Sequence, residues 1–299
     1  MELEVNKLLV YRLQNEKLSI GVKLTGAELC SIKKIKTGTE YIWQANPEIW
    51  SSHAPNLFPI IGALKNGEFL FNNKAYQLPK HGIIRNNSNI QLKEQNPDSL
   101  IFNLKYSKET LKSYPFKFNF EIKFQLKEKT LTVSHKITNL DEKSMYFSVG
   151  GHPAFNAPLY EGESYEDYYL EFDRNLDLNT YLLNEEGLIS SKTRTVIRND
   201  NKIELHRNLF DTDALIFKNI ESKKVALKSK KSGRVLTVEY SDFKDLGIWA
   251  KPAAPYVCIE PWFGYADVEG TTQDLKTKEG IIELMPSETF DASYTITIA

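Results

Sequence analysis

The sequence contains little cysteine and no excess of charge of one sign. Its 299 residues include two cysteines, Cys30 and Cys258. These are too few for a disulfide framework and lack the spacing of a zinc site, so they indicate a reducing compartment. Lys and Arg together number 38 against 39 Asp and Glu. No bulk charge is therefore available to attract nucleic acid or an anionic membrane, and a small-molecule partner is expected.

Long apolar runs and linkers are also missing. Residues 1–20 mix charges with short apolar runs and lack the continuous apolar stretch of a signal segment. Nothing elsewhere approaches the roughly 20 apolar residues of a membrane span, so we expect a cytoplasmic protein that does not contact membranes. No repeat, low-complexity tract or long linker marks a boundary, and residues 1–299 are predicted to form a single domain. Either a monomer or a homodimer is compatible with this pattern.

What the sequence does contain is alternation of apolar and polar residues with a period of two. The clearest run covers residues 117–126, and a second run over 131–137 follows a short polar connection, which predicts an antiparallel hairpin. Residues 18–24 and 290–298 show the same period. Helical spacing is scarce, with at most a turn or two over residues 107–113. Many strands and few helices favour an all-β fold, a large antiparallel β-sandwich.

Two segments each place one ionisable side chain directly before a proline. Residues 256–262 (YVCIEPW) are an apolar run that ends at Glu260, and residues 148–155 (SVGGHPAF) place His152 after two glycines. A proline restricts the preceding residue to extended backbone, so both side chains are held in one direction. The segments predict an acid/base pair, with Trp262 and Phe155 as apolar surface for a sugar.

A third segment, residues 54–85, concentrates polar groups in its loops. His81 and Arg85 lie on either side of a glycine, and Lys65 and Lys80 add positive charge. Such a segment can donate several hydrogen bonds to sugar hydroxyls or to a phosphate.

Four motifs, in this order, resemble the aldose 1-epimerase (galactose mutarotase) superfamily and, within it, the LacX-like branch. They are LFPIIG at 57–62, HGIIR at 81–85, GHPAF at 151–155 and CIEPW at 258–262. The resemblance spans nearly the whole chain, and four ordered motifs are more specific than any one alone. The resemblance implies the galactose mutarotase-like sandwich and an isomerase that interconverts the α and β anomers of an aldose, without a metal or organic cofactor.

The resemblance also implies roles for particular residues. Glu260 corresponds to the general base and His152 to the general acid. His81 corresponds to a histidine that binds the sugar near its ring oxygen. Asp213 is the best match for an aspartate that holds sugar hydroxyls, with Asp211 as its competitor.

One position departs from the family pattern. Related sequences often have an arginine directly after the glycine of the first motif, and this chain has Ala63 there. The substrate preference of relatives therefore does not transfer directly. Arg85 and Lys65 are candidates to occupy that space, and with Trp262 they complete the predicted sugar contacts.

The chemistry requires such a pair independently of the resemblance. To open a cyclic hemiacetal, a base removes the proton of the C1 hydroxyl while an acid protonates the ring oxygen. A carboxylate and an imidazole both transfer protons near neutral pH. With Glu260 as base and His152 as acid, the histidine is expected to begin protonated.

Three other functions remain open. Arg85, Lys65 and Lys80 are compatible with a hexose 6-phosphate in place of a neutral hexose. A carbohydrate-binding protein with the same pocket and no turnover would account for Ala63.

A metal enzyme is the third alternative. It would use His53, His81, His152 and Glu260, since histidine and carboxylate are common zinc ligands. The sequence has no paired-histidine spacing of the kind that zinc enzymes use. His135, on the apolar face of a predicted strand, is interpreted as a core histidine.

Overall fold

The structure is a computed structural model that describes residues 9–299. In chain order its strands are β1 (Val10–Gln14), β2 (Leu18–Lys23), β3 (Glu28–Lys34), β4 (Asn56–Leu57), β5 (Glu68–Phe71), β6 (Lys74–Gln77), β7 (Gln91–Gln95), β8 (Ser99–Lys105), β9 (Phe118–Lys127), β10 (Thr130–Asn139), β11 (Met145–Phe147), β12 (Val149–Gly151), β13 (Ala154–Asn156), β14 (Tyr168–Leu183), β15 (Ile189–Glu204), β16 (Leu215–Phe217), β17 (Lys224–Ser229), β18 (Gly233–Glu239), β19 (Asp245–Trp249), β20 (Tyr256–Phe263), β21 (Ile282–Leu284) and β22 (Thr289–Ile298).

Helix is confined to single turns in the described part of the chain. The α-helix α1 (Thr110–Ser113) has four residues, and it lies where the sequence predicted a turn or two. Short 3₁₀ turns cover Thr25–Ala27, Lys65–Gly67, Tyr165–Asp167 and Leu275–Thr277. No helix within residues 9–299 has the length and apolar character needed to cross a bilayer.

Two large sheets organise the molecule. The nine-stranded sheet has the order β15-β14-β17-β18-β22-β10-β9-β8-β7. The six-stranded sheet has the order β16-β19-β20-β12-β4, and β13 also pairs with β20. Smaller sheets are β1-β2-β3, β5-β6 and β11-β21. The pairings in both large sheets are antiparallel, so the predicted all-β class and large antiparallel sandwich are confirmed.

The predicted hairpin forms the centre of the nine-stranded sheet. β9 and β10 pair in register from Lys127 opposite Thr130 to Phe118 opposite Asn139. Along both strands the apolar positions are buried and the polar ones are partly exposed, as a period of two requires when one face is covered. The sequence pattern thus fixed which face of this sheet enters the core.

The buried face of the nine-stranded sheet packs against the six-stranded sheet. The ring of Phe58, which follows β4, lies 5.2 Å from that of Phe118 and 5.1 Å from that of Phe120. His135 on β10 places Nε2 3.3 Å from Oδ1 of Asn56 on β4. These contacts cross between the sheets, and the sheet that carries Glu260 therefore rests on a packed apolar layer.

Candidate active site

The register of β20 brings the predicted acid and base together. Gly150 of β12 lies opposite Trp262, and Ala154 of β13 lies opposite Cys258. His152, midway between Gly150 and Ala154, is therefore directly across from Glu260. His152 Nε2 lies 3.3 Å from Glu260 Oε2, and the two side chains are 8% and 1% exposed.

Alternation along β20 decides what shares a face with Glu260. Because side chains two residues apart point to the same side of a strand, Cys258 and Trp262 flank Glu260 on that side. The ring of Trp262 covers two glycines of the neighbouring strands. A Cβ at Gly247 would lie 2.4 Å from Trp262 Cη2, and one at Gly150 would lie 2.8 Å from its Cδ1. Only glycine leaves room for the indole at these two positions.

His81 is held by a tight loop that passes the end of β4. Its backbone φ is +70°, and a Cβ at the following Gly82 would lie 2.2 Å from the carbonyl oxygen of Phe58. The Gly62 N–H donates to His81 Nδ1 at 3.2 Å. Since Nδ1 accepts that bond, the neutral ring carries its proton on Nε2. Nε2–H is therefore the donor that remains for a ligand.

A cavity of ≈ 700 Å³, including the part open to solvent, lies over Glu260 and His152. Six of the seven predicted site residues line it: Glu260, His152, His81, Arg85, Asp213 and Trp262. Asp213 has a φ of +82° and its Oδ1 accepts the Ala214 N–H at 2.7 Å. Its competitor Asp211 does not line the cavity. The structure therefore gathers into one wall predicted residues that are far apart in sequence, from His81 to Trp262.

Lys65 is the exception. It lies outside the cavity wall, with its backbone N–H bonded to Asp267 Oδ2 at 3.0 Å and its Nζ 3.5 Å from the carbonyl oxygen of Glu269. Its placement as a sugar contact has no support in this geometry, because the 3₁₀ turn at Lys65–Gly67 directs it toward the 267–269 segment. Lys80, one residue before His81, lines the cavity instead.

The aromatic surface also differs from the prediction. Phe155 is fully buried, pairs with Val257 and is not in the cavity wall. Trp50 and Trp249 line the wall in its place. Trp50 stacks on the His152 ring with centroids 5.1 Å apart, and Trp249 meets that ring edge-on at 5.8 Å. Trp50 was not singled out from the sequence as a site residue, because no local motif signals its contact with a residue 102 positions away.

Burial holds the acid/base pair neutral. It lowers the pKa of His152 to about 3, and the positive charges of Arg85 and Lys80 act in the same direction. Burial raises the pKa of Glu260 well above its usual range, although Lys80 and Arg85 oppose this effect. A wholly buried ring beside two cations disfavours a further positive charge, which acts against the expected protonation of His152 in the unliganded pocket.

His81 is neutral for related reasons. Burial lowers its pKa well below the usual range, and the nearby His152, Lys80 and Arg85 add to the effect. Within residues 9–299, neither Glu260 Oε2 nor His152 Nδ1 has a hydrogen-bond partner of good geometry. These buried polar atoms remain available to a ligand that brings hydroxyl groups.

The donors suited to a metal differ from the predicted set. Ligand atoms of His152, Cys258 and Glu260 lie within 4.8 Å of one another. His53 is not part of this group. Its Nδ1 instead lies 3.1 Å from Lys23 Nζ and 3.6 Å from Glu28 Oε2. Imidazole, thiolate and carboxylate together fit zinc chemically.

Comparison with known proteins shows which family the chain belongs to. The family profile described as "Aldose 1-epimerase" matches residues 9–272. The chain belongs to the aldose 1-epimerase family. Two relatives described as "Protein LacX, plasmid" and "Protein LacX, chromosomal", both from Lactococcus lactis subsp. lactis, are 36% identical to it over 295 residues, which cover 96% of this chain and 98% of each relative.

Solved structures of similar family members share the whole fold. A galactose mutarotase related enzyme from Lactobacillus acidophilus superimposes with a TM-score of 0.91 at 36% identity and covers 97% of both chains. A galactose mutarotase-like protein from Lactobacillus casei gives the same TM-score at 28% identity, over 97% of this chain and 100% of that one. Family membership supports an isomerase with a small sugar as its substrate.

Proposed function

We propose that this protein is an aldose 1-epimerase that interconverts the α and β anomers of a hexose, with Glu260 and His152 as its acid/base pair. The observation that carries the proposal is the 3.3 Å approach of His152 Nε2 to Glu260 Oε2 at the bottom of a cavity. Two neighbouring groups that can each give or accept a proton, and that both line a cavity, suit a reaction in which one proton leaves the substrate and another enters it.

The pair holds one exchangeable proton between its two members. In the neutral form this proton is on Glu260. Its transfer to His152 leaves a carboxylate and an imidazolium, and Lys80 and Arg85 stabilise the carboxylate. Hydroxyl dipoles of a bound sugar stabilise both charges. The reactive form thus has the roles implied by the family, with Glu260 as base and His152 as acid.

Ring opening then proceeds without any net gain or loss of protons. Glu260 takes the proton of the C1 hydroxyl, the C1–O5 bond breaks as the C1 carbonyl forms, and His152 delivers its proton to O5. Rotation about C1–C2 presents the other face of the aldehyde. In ring closure the O5 hydroxyl returns its proton to His152 while Glu260 protonates the new C1 oxygen.

The remaining residues of the wall orient the sugar. His81 donates from Nε2 toward a sugar oxygen, Asp213 accepts from hydroxyls, and Trp262 offers an apolar face. Trp50 and Trp249 enclose the imidazole and keep water away from the opened aldehyde.

The test is anomer exchange measured by NMR for a panel of aldoses, with the wild type and the Glu260→Gln variant compared. Acceleration by the wild type and not by the variant supports the proposal. A wild type that binds sugars without accelerating exchange is a carbohydrate-binding protein, and the proposal then fails. Measuring exchange with and without a chelator separates the pair from a metal-dependent reaction, since the acid/base route requires full activity in chelator.

A further inference from the structure

Lys80 and Arg85 stand between two surfaces. Both line the cavity over Glu260 and His152, and both also line an open groove formed by Pro79, Gly82, Ile83 and residues 86–89. The groove has a volume of ≈ 1000 Å³, including the part open to solvent. A ligand held in the cavity can therefore extend past these two cations and remain in contact with the protein.

The positive charge at this junction is not neutralised by the protein. No carboxylate within residues 9–299 forms an ion pair with Lys80 or Arg85. Two acidic residues line the cavity, Glu260 and Asp213, and none lines the groove. Burial disfavours the charged form of Glu260, which leaves the Asp213 carboxylate in the cavity wall against the two cations. The junction thus has an excess of positive charge.

Arg85 also has hydrogen-bonding capacity to spare. Its Nη2 donates to Ser52 Oγ at 3.0 Å, while its buried Nε has no acceptor among the described residues. A buried donor without an acceptor is unfavourable, and an oxyanion would satisfy it. The planar guanidinium suits the oxygens of a phosphate, and a lysine adds a point charge beside it.

The chemistry of the reaction restricts where such an anion can be attached. Ring opening requires a free hydroxyl on C1, so an aldose esterified at C1 cannot react by this route. A neutral aldose brings no counter-charge to the two cations. A phosphate carries about −1.5 to −2 charges at pH 7 and would neutralise them.

We propose that Lys80 and Arg85 form an anion subsite, and that the preferred substrate is an aldose with a phosphate ester on a carbon other than C1. The inference rests on the proposed function only for turnover, since the subsite itself can be tested by binding. Lys65 supplies the matched control, because it carries the same charge in the same sequence segment but lies outside the cavity.

The binding test uses ligands that cannot open. Calorimetry compares 1,5-anhydroglucitol with its 6-phosphate, since neither has a C1 hydroxyl. We expect the phosphate ester to bind at least about ten-fold more tightly to the wild type and to Lys65→Ala. The preference should fall to a few-fold in Lys80→Ala and Arg85→Gln, and it should weaken at high ionic strength.

The kinetic test compares kcat/KM for anomer exchange of glucose and glucose 6-phosphate in the same four proteins. Because Lys80 also stabilises the Glu260 carboxylate, Lys80→Ala should lower kcat for both sugars alike, and the loss specific to the subsite should appear as a higher KM for the phosphate ester alone. Equal kcat/KM values for the two wild-type substrates would overturn the inference, even if exchange itself is fast. If the protein binds the phosphate ester more tightly but does not accelerate anomer exchange, the proposed function is contradicted and the anion subsite is supported.

The third test uses inorganic phosphate in place of a sugar phosphate. Inorganic phosphate should bind more weakly than the sugar phosphate and should compete with it, because both occupy Lys80 and Arg85. If inorganic phosphate binds as tightly as the ester and the binding is unchanged in Lys80→Ala and Arg85→Gln, the subsite does not exist.

Discussion

His135 and His152 are both buried histidines, and the contrast between them separates packing from chemistry. Burial lowers the pKa of His135 to about 4 and that of His152 to about 3. His135 lies between the sheets, where its Nε2 meets the Asn56 amide oxygen. His152 meets a carboxylate and borders a cavity. A lowered pKa alone therefore does not mark a functional histidine. What distinguishes His152 is a carboxyl neighbour at 3.3 Å and a place in the wall of a cavity.

The largest expected effect comes from removing the partner of His152. Glu260→Gln keeps the volume of the side chain and the neutral charge of the buried acid, so the fold should persist. The glutamine amide cannot give or accept a proton in this step, and acid/base catalysis contributes about 10²–10⁴-fold to a reaction rate. We expect the anomer exchange rate measured by NMR to fall by about that factor, with sugar binding retained. A variant with a near-normal rate would show that Glu260 is not the base.

The next prediction applies one substitution to both histidines. His152→Gln should lower exchange by about 10²-fold or more, because glutamine cannot take or give a proton. His135→Gln should leave exchange within about two-fold and lower the free energy of unfolding by about 1–3 kcal/mol, through disturbed packing and the altered bond to Asn56. Denaturant unfolding and NMR exchange measure the two quantities. If His135→Gln abolished exchange in a folded protein, the distinction drawn here would fail.

The pH dependence of stability reports on His135. Its pKa is about 4 in the folded protein and about 6.5 when unfolded. Between these values the unfolded chain binds a proton that the folded protein does not, so the free energy of unfolding should decrease as pH falls from about 7 to about 4. The contribution of this histidine is about 3 kcal/mol. His81 and His152 act in the same direction, so the pH slope of His135→Gln should be smaller than that of the wild type but not zero.

The pH dependence of activity should differ from that of an exposed histidine. Because His152 is neutral and Glu260 holds the shared proton, raising the pH through 6.5 should not remove it. We expect kcat/KM for anomer exchange to stay level across that range and to decline only when Glu260 loses its proton at higher pH. A decline centred near pH 6.5 would instead indicate an acid with an ordinary histidine pKa.

The smallest effect concerns the aromatic ring that stacks on His152. Replacing Trp50 by leucine removes the 5.1 Å stack and retains an apolar side chain. Aromatic pairs contribute about 0.5–1.5 kcal/mol, so exchange should fall by about two- to ten-fold. Phenylalanine at the same position should restore part of the loss. Equal rates in Trp50→Leu and the wild type would mean that the edge of Trp249 suffices to hold the imidazole.

The parts of the structure that followed from the sequence are those with a local cause. The hairpin β9–β10 was predictable from alternation by two residues. When one face of a sheet is covered, a shift of one residue in register would expose all its apolar side chains. Glu260 and His152 were predictable as a pair because each precedes a proline, and the family motifs identified the same residues. The position of Lys65 outside the cavity could not be predicted, because nothing near it in sequence indicates the turn toward Asp267.

The sequence by itself determined the fold class and the family, and it predicted six residues that line the pocket, since strand period and motif order depend on neighbouring residues. Tertiary structure alone decided the 3.3 Å contact between His152 and Glu260, the burial that disfavours charge on both, and the positions of Trp50, Trp249 and Lys80 in the cavity wall. The physical reason is that distance, burial and local charge depend on strand register and sheet packing, which join residues far apart in the chain.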